Sequence, residues 1–438
     1  MEIKNHLAFA LSSFYPDHRA GTETYVLNLS KELIKLGYRV SVIIPSVGRA
    51  SSQYEYEGIR VYSFKVPLKT SPAEMNGLHE PSGLDEFKRL LQQIKPDIFH
   101  LHTLSRSMHA EHLKTAGSLG IKTVFTSHLS DNFCVRGNLM RFGKIQCNGL
   151  VGRNKCLACY INQKKSYSPL ISKISSFFLN LFFIKSPLIS KYPAFRIIDF
   201  KLEQISKLAE YSDHNIALGS WLEEIYKLNG LKKTSIIKQG VDAQFIKIKE
   251  VIPYNLPIKL GFIGRMHPLK NIDLLLSVLK TFHMQFDLMI ITIPFEDELE
   301  YYKKVKNEYH AIGFNLWFEN LDKKQVAEKL ELVDLLVLPS KYEAAPLVII
   351  EAFAKKIPVI ASDYIAMKEM VQHNVNGLLF KNGDGESLKE QLTRLINEPE
   401  LIQKLSQNIE PVRSFRKVAE EHNKIYRELK MADFNYVK

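Results

Sequence analysis

The sequence predicts an α/β protein of two domains, each wound around a parallel sheet, and three observations predict it. Short apolar runs that read as strands recur at residues 7–11, 40–44, 98–101 and 123–126, with helical patterns between them. Two more such runs, at 260–263 and 334–339, lie in the C-terminal half. A chain of 438 residues with 45% hydrophobic content is too long for one ordinary α/β core and ample for two.

The strand at 7–11 leads through Arg19-Ala20-Gly21-Thr22-Glu23-Thr24 into a helix over 25–36, whose Val26, Leu29, Leu33 and Leu36 share one face. Gly21 lets the backbone approach a ligand closely. On the strand at 98–101, His100 and His102 flank Leu101 at strand spacing and point to one face, a structural pair. The strand at 123–126 ends in Ser127-His128, and a histidine there can donate and accept a hydrogen bond at neutral pH. The first domain is expected over 1–240, a linker over 241–256, the second domain over 257–410, and a helical tail over 411–438.

Within the first domain, residues 131–201 read as an insertion of unusual composition. Residues 132–201 hold twelve Lys or Arg and a single acid, Asp199, and so carry nearly all of the formal net charge of +12. Phe177 to Ile184 is an apolar run with Lys173 and Lys185 at its edges and Lys191 and Arg196 beyond. It is too short to span a bilayer, but phenylalanines beside lysines suit an element lying in the headgroup region of an anionic membrane. The competing reading is a buried hairpin of helices whose lysines reach water. All four cysteines, Cys134, Cys147, Cys156 and Cys159, fall within this insertion. Cys156-Leu157-Ala158-Cys159 has the chelate spacing of a zinc knuckle, so either a structural zinc or four reduced thiols is expected. No nucleic-acid signature accompanies the basic stretch, so nucleic acid is not expected as a partner. No run of eighteen apolar residues and no signal-peptide pattern occurs, so the chain is expected in the cytoplasm, with peripheral contact at the inner face of the cell membrane if the basic segment binds lipid.

The C-terminal half carries the chemistry. After the strand at 334–339 a loop bears Glu343, and a helix opens near Pro346 and Leu347, proline being suited to the first helical position because the amide it lacks has no partner there. The free amides and positive end of that helix point to where a diphosphate can sit, and Glu351, eight residues after Glu343, lies about a turn inside. Upstream, strand 260–263 runs through Gly264 to Arg265 and Lys270, five residues apart, before a helix over 272–279. Preorganised cations stabilise the charge that builds on a departing diphosphate. Taken alone, two loop cations are more often simply solvated.

Together these segments resemble the retaining glycosyltransferases of family 4, which have the GT-B fold: two Rossmann-like domains facing each other across an inter-domain cleft. The resemblance rests on the two glutamates at 343 and 351, the Arg265/Lys270 pair, the segments at 358–363, 368–371 and 376–380, and in part on Gly21. It implies that Arg265 and Lys270 bind the donor diphosphate, that Glu351 bonds the ribose of a nucleotide sugar with Pro346 and Leu347 beside it, and that Glu343 and His128 face the sugar being transferred. It further implies a UDP- or GDP-linked donor, a glycan or lipid-linked acceptor, no cofactor for catalysis, and a C-terminal helix that crosses back onto the first domain. No Asp-x-Asp triplet is present to suggest a catalytic metal. Bacterial surface polysaccharide synthesis is the pathway expected by analogy with relatives. Three departures are visible: Ala20 stands where the family has the first of a glycine pair, Asn271 where it has glycine after the lysine, and Tyr364-Ile365-Ala366-Met367 where it has glycines. A sugar-nucleotide epimerase of the same fold, or a non-catalytic partner subunit, are the alternatives.

Overall fold

The computed structural model describes residues 4–71, 74, 77, 79–183, 193–246, 256–282, 284–398 and 400–434. The chain divides into two units, residues 1–238 with 416–438, and residues 239–415.

The first unit is built on an eight-stranded sheet of order β10-β9-β6-β5-β1-β2-β4-β3. Its strands are β1 (Lys4–Ala10), β2 (Tyr38–Val47), β3 (Gln53–Tyr56), β4 (Ile59–Val66), β5 (Ile98–His102), β6 (Lys122–Thr126), β9 (His214–Ala217) and β10 (Thr234–Ile236); a separate small hairpin is made by β7 (Met140–Arg141) and β8 (Ile145–Gln146). All sheet pairings are parallel except β3 on β4. Parallel strands need crossover connections, and helices α1 (Gly21–Lys35), α2 (Leu84–Ile94), α3 (Ala110–Ser118), α4 (Arg153–Lys165), α5 (Pro169–Phe183), α6 (Pro193–Tyr211) and α7 (Ser220–Leu228) lie along the connecting chain. The central strands are near-continuous apolar runs because both faces are covered: Leu7, Phe9, Phe99, Leu101, Val124 and Phe125 are fully buried. The strand order reverses between β1 and β5, so the loops after β1, β5 and β6 gather at the carboxyl edge where doubly wound sheets bind ligands.

The second unit carries a six-stranded, all-parallel sheet of order β13-β12-β11-β14-β15-β16. The strands are β11 (Ile258–Ile263), β12 (Phe286–Thr292), β13 (Leu316–Glu319), β14 (Leu335–Leu338), β15 (Val359–Ser362) and β16 (Gly377–Phe380). Between and after them come α8 (Ile272–Leu279), α9 (Leu299–Ile312), α10 (Lys323–Leu330), α11 (Leu347–Ala354), α12 (Ile365–Met370), α13 (Gly385–Asn397) and α14 (Leu401–Gln407). One core cluster joins Leu260 and Phe262 of β11, Leu276 of α8, Leu288 and Ile290 of β12, Leu335 and Val337 of β14 and Leu392 of α13. Here the reversal falls between β11 and β14.

One expectation needs correction. The stretch taken as a linker begins inside the second unit: Val241 pairs with Ser414 in an isolated bridge, Phe245 is buried, and Gly240 lies so close to Ser414 that a Cβ would stand 2.7 Å from its carbonyl carbon. Residues 247–255 of that stretch lie outside the described residues. The last helix, α15 (Phe415–Phe434), joins the first unit from Arg416 onward. There Tyr426 Oη lies 2.7 Å from His100 Nδ1, Asn423 Oδ1 accepts from Tyr38 Oη at 2.7 Å, and Lys430 Nζ stands 2.9 Å from Asp97 Oδ1.

Candidate functional site

In the second unit the carboxyl ends of β11 and β14, neighbours at the reversal, deliver Arg265, Lys270 and Glu343. After β11 the chain makes a single 3₁₀ turn over Pro268–Lys270, started by His267, whose Nδ1 accepts from the Leu269 amide at 3.0 Å. Asn271 then takes φ +56°, the left-handed region, and α8 begins. Asparagine is the non-glycine residue that visits this region most readily, so the departure from glycine preserves the turn. The Lys341 amide bonds Leu269 O at 2.8 Å and ties the two loops together.

Lys270 Nζ lies 2.5 Å from Glu343 Oε1, and the same oxygen accepts from the buried Ser340 hydroxyl at 2.8 Å. The structure thus brings Lys270 and Glu343 into one charge-assisted contact, rather than leaving one for phosphate and the other for sugar. Arg265 is aimed by Glu298 Oε1 at 3.5 Å and by the Phe295 ring, 5.4 Å from its guanidinium carbon, and its side chain remains 52% exposed. A half-exposed guanidinium and a lysine on the one loop after β11, with backing carboxylates, can exchange those carboxylates for the oxygens of a diphosphate.

Pro346 is corrected from first helical residue to N-cap: it has φ −70° and ψ 105°, and Leu347 opens α11. The chemical consequence is unchanged, since proline offers no amide and the free amides begin with Leu347. Glu351, the fifth residue of α11, is partly buried, and removal from water raises its carboxyl to about 7; Lys323 lowers and Asp242 raises it further. Lys323 and Asp242 are themselves an ion pair at 3.2 Å. Sequence reasoning missed Ser340, Asp242 and Lys323. The signal for Asp242 was the Gly240-Val241-Asp242 run, which looked like a linker because its partner strand residue, Ser414, is far away in the chain. In place of the family's glycines, Tyr364 caps α12 with ordinary backbone angles and packs edge-on against Tyr342, ring centres 5.5 Å apart.

In the first unit Gly21 opens α1 with nothing within 4 Å of where a Cβ would stand, so the protein itself does not require glycine there. His128 sits at the end of β6 within a cluster of rings. Its Nε2 lies 3.0 Å from His102 Nδ1, its amide donates to Thr103 Oγ1 at 2.8 Å, and Tyr25 packs edge-on with ring centres 4.9 Å apart. His100 and His102 stack at 4.0 Å, and His422 of α15 approaches Tyr25 Oη at 3.4 Å. Burial pushes His128 down to about 3 and holds His100 and His102 well below the usual imidazole range. The expected sugar-facing His128 is therefore a neutral, largely buried ring.

The four cysteines are free thiols that line one pocket between the β7–β8 hairpin and α4, together with Arg141 and Lys155. Cys156 and Cys159 share a face of α4, three residues apart, and backbone amides point at both sulfurs: Gly152 N at 3.5 Å from Cys156 Sγ and Phe142 N at 3.3 Å from Cys159 Sγ. Burial raises both thiols. The donor set suits zinc, but among the described residues no three such groups are placed to share one ion as the side chains lie.

Paired Rossmann-like units, with cations and a carboxylate-bearing helix at the reversal of the second, define the GT-B class of sugar-transferring enzymes. Residues 19–147 match the family model described as Glycosyltransferase Family 4, and residues 244–411 match Glycosyl transferases group 1. The chain belongs to the family-4 glycosyltransferases. It is 23% identical to an alpha-monoglucosyldiacylglycerol synthase of Acholeplasma laidlawii over 89% of this chain and 88% of that one. It is 28% identical to an uncharacterized glycosyltransferase of Methanocaldococcus jannaschii over 45% of this chain and 53% of that one, and 22% identical to an amylovoran biosynthesis glycosyltransferase of Erwinia amylovora over 37% and 42%. The last two matches thus span about half or less of those relatives. Among solved structures, the sucrose-phosphate synthase of Thermosynechococcus elongatus superposes with TM-score 0.67 at 16% identity, covering 98% of this chain and 100% of that one. An Anabaena protein solved in complex with UDP and glucose gives 0.63 at 13% identity, covering 96% and 99%. These likenesses show the fold.

Proposed function

We propose that this protein moves a sugar from a nucleoside diphosphate donor, linked to uridine or guanosine, to a hydroxyl of a glycan or lipid-linked saccharide, with retention at the anomeric carbon. The observation that carries the reading is the Lys270–Glu343 contact beside Arg265, at the adjacent ends of β11 and β14. Arg265 and Lys270 take the diphosphate, whose charge grows as the bond from the anomeric carbon to the phosphate oxygen breaks. Glu343, released from Lys270, turns to the sugar hydroxyls. Glu351 accepts from the ribose hydroxyls, and the Leu347 end of α11 faces the phosphates. The acceptor oxygen bonds the anomeric carbon from the face the diphosphate leaves, and its proton passes to the departing phosphate oxygen. His128 and Gly21 of the first unit are proposed as further ligand-contacting residues.

The relative named for glucosyldiacylglycerol synthesis and the one named for amylovoran synthesis support an acceptor among membrane glycolipids or surface polysaccharides. Incubation with UDP- and GDP-sugars, with proton NMR of the product's anomeric signal, tests the reading. Transfer with the donor's configuration kept supports it; an inverted product overturns retention, and an epimerised nucleotide sugar formed without acceptor overturns transfer.

We further propose that the four thiols close around a structural zinc by turning about their Cα–Cβ bonds and losing their protons, with the Gly152 and Phe142 amides and Lys155 stabilising the thiolates. Metal analysis of protein purified without added zinc tests this: one zinc per chain supports it, and none contradicts it.

A further inference from the structure

Helix α5 is turned inside out. Its inward positions, Ser172, Ser176 and Asn180, recur every four residues and are 0%, 2% and 6% exposed. They pack on α4, where Ser176 Oγ donates to Asn154 O at 3.0 Å and the Asn180 amide bonds the Asn154 side chain. Its outward positions Leu170, Ile171, Ile174, Phe177 and Leu181 form a helical stripe between 48% and 67% exposed. A helix facing water would do the reverse, burying the aliphatic stripe and wetting the serines. A contiguous apolar face of this kind marks an interaction surface.

The charges around it identify the occupant. Lys164 and Lys165 close the last turn of α4, Lys173 flanks the apolar stripe of α5 with its Nζ 5.9 Å from the Phe142 ring centre, and all three are exposed and form no ion pair among the described residues. The one acid of residues 132–201, Asp199, is neutralised by Arg153 at 3.1 Å. At 15 residues α5 cannot cross a bilayer, and no helix among the described residues is long and apolar enough to do so. We propose that the outer face of α5 lies in the interface of an anionic phospholipid bilayer, its aliphatic and phenyl side chains among the acyl chains and the three lysines on the lipid phosphates. Of the basic residues named from sequence, Lys185 and Lys191 lie outside the described residues, and the proposal does not use them.

Flotation of the full chain with phosphatidylcholine vesicles, with and without phosphatidylglycerol, tests the proposal apart from any sugar transfer. The wild type is expected to float only with phosphatidylglycerol present and to be released by salt. A variant combining Ile174→Ser, Phe177→Ser and Leu181→Ser should lose binding, and one combining Lys164→Glu, Lys165→Glu and Lys173→Glu should lose about a hundredfold. Both variants replace exposed side chains, so unchanged circular dichroism and donor hydrolysis are expected. Retained flotation of the serine variant overturns the proposal, as does equal binding to pure phosphatidylcholine. So does a wild type that floats with neither vesicle but sediments as a dimer dissolved by the serine substitutions, a result that gives the face to a second copy.

Discussion

The two units reverse strand order in the same way and fill the resulting crevice with opposite chemistry. At the reversal of the second unit, loops hold Arg265, half exposed, and Lys270 against Glu343, and α11 carries the partly buried Glu351. At the edge of the first unit, His100 and His102 of β5, His128 just after β6 and Tyr25 of α1 form a close-packed set of neutral rings, closed by His422 and Tyr426 of the C-terminal helix. One topology therefore serves two tasks. Opposed charges that can part are suited to an anionic ligand, and uncharged rings that cannot easily part make a firm wall.

The largest effect that would break this comparison is in the second unit. Lys270→Ala should lower kcat by about a hundred- to a thousandfold, as the loss of one preorganised donor at a developing charge does, with melting little changed; steady-state kinetics on the variant measures it. Next comes the first unit. Its histidines are held neutral by burial, so the unfolded chain takes up protons from pH 6.5 downward while the folded protein resists until about 3 at His128. Stability is full above pH 6.5 and falls through that window, each such histidine costing about 1.4 kcal/mol per pH unit. Tyr426→Phe, which strips the partner from His100 Nδ1, should add about 1–3 kcal/mol of destabilisation. Thermal melts between pH 8 and pH 4 on both proteins measure this pair of effects.

A smaller effect sharpens the contrast. Glu351, raised to about 7, would have to ionise to accept from both ribose hydroxyls in its proposed role. Nucleoside diphosphate affinity should therefore strengthen by about tenfold from pH 6 to pH 8, and Glu351→Gln should bind weakly with a flat profile in calorimetric titrations. Smallest is Asn271→Ala, which places alanine at φ +56° and should cost about 1 kcal/mol, while Asn271→Gly should be near neutral by denaturant unfolding.

What was legible in the sequence was what local pattern encodes. The helix at Ile272–Leu279 is the range its periodicity predicts, and the strand before Glu343 announced itself as an apolar run ending at Pro339. Pairings across the chain were hidden: Tyr426 meets His100 from 326 residues away, and Val241 meets Ser414. Neither contact leaves a spacing signal. Nor does periodicity say which face of a helix is inward. The stripe of α5 was visible as phenylalanines beside lysines, but only the burial of Ser172, Ser176 and Asn180 shows that the polar side faces the protein. The Lys270–Glu343 contact was likewise out of reach, because two loops meet only once β11 and β14 are neighbours.

The central claim is that Arg265 and Lys270 hold a diphosphate on the second unit. Isothermal calorimetry of UDP and GDP against the wild type and the Arg265→Ala, Lys270→Ala double variant measures it directly. One of the two nucleotides should bind the wild type, and the variant should bind it about a hundredfold or more weakly; equal affinity for both proteins would contradict the account.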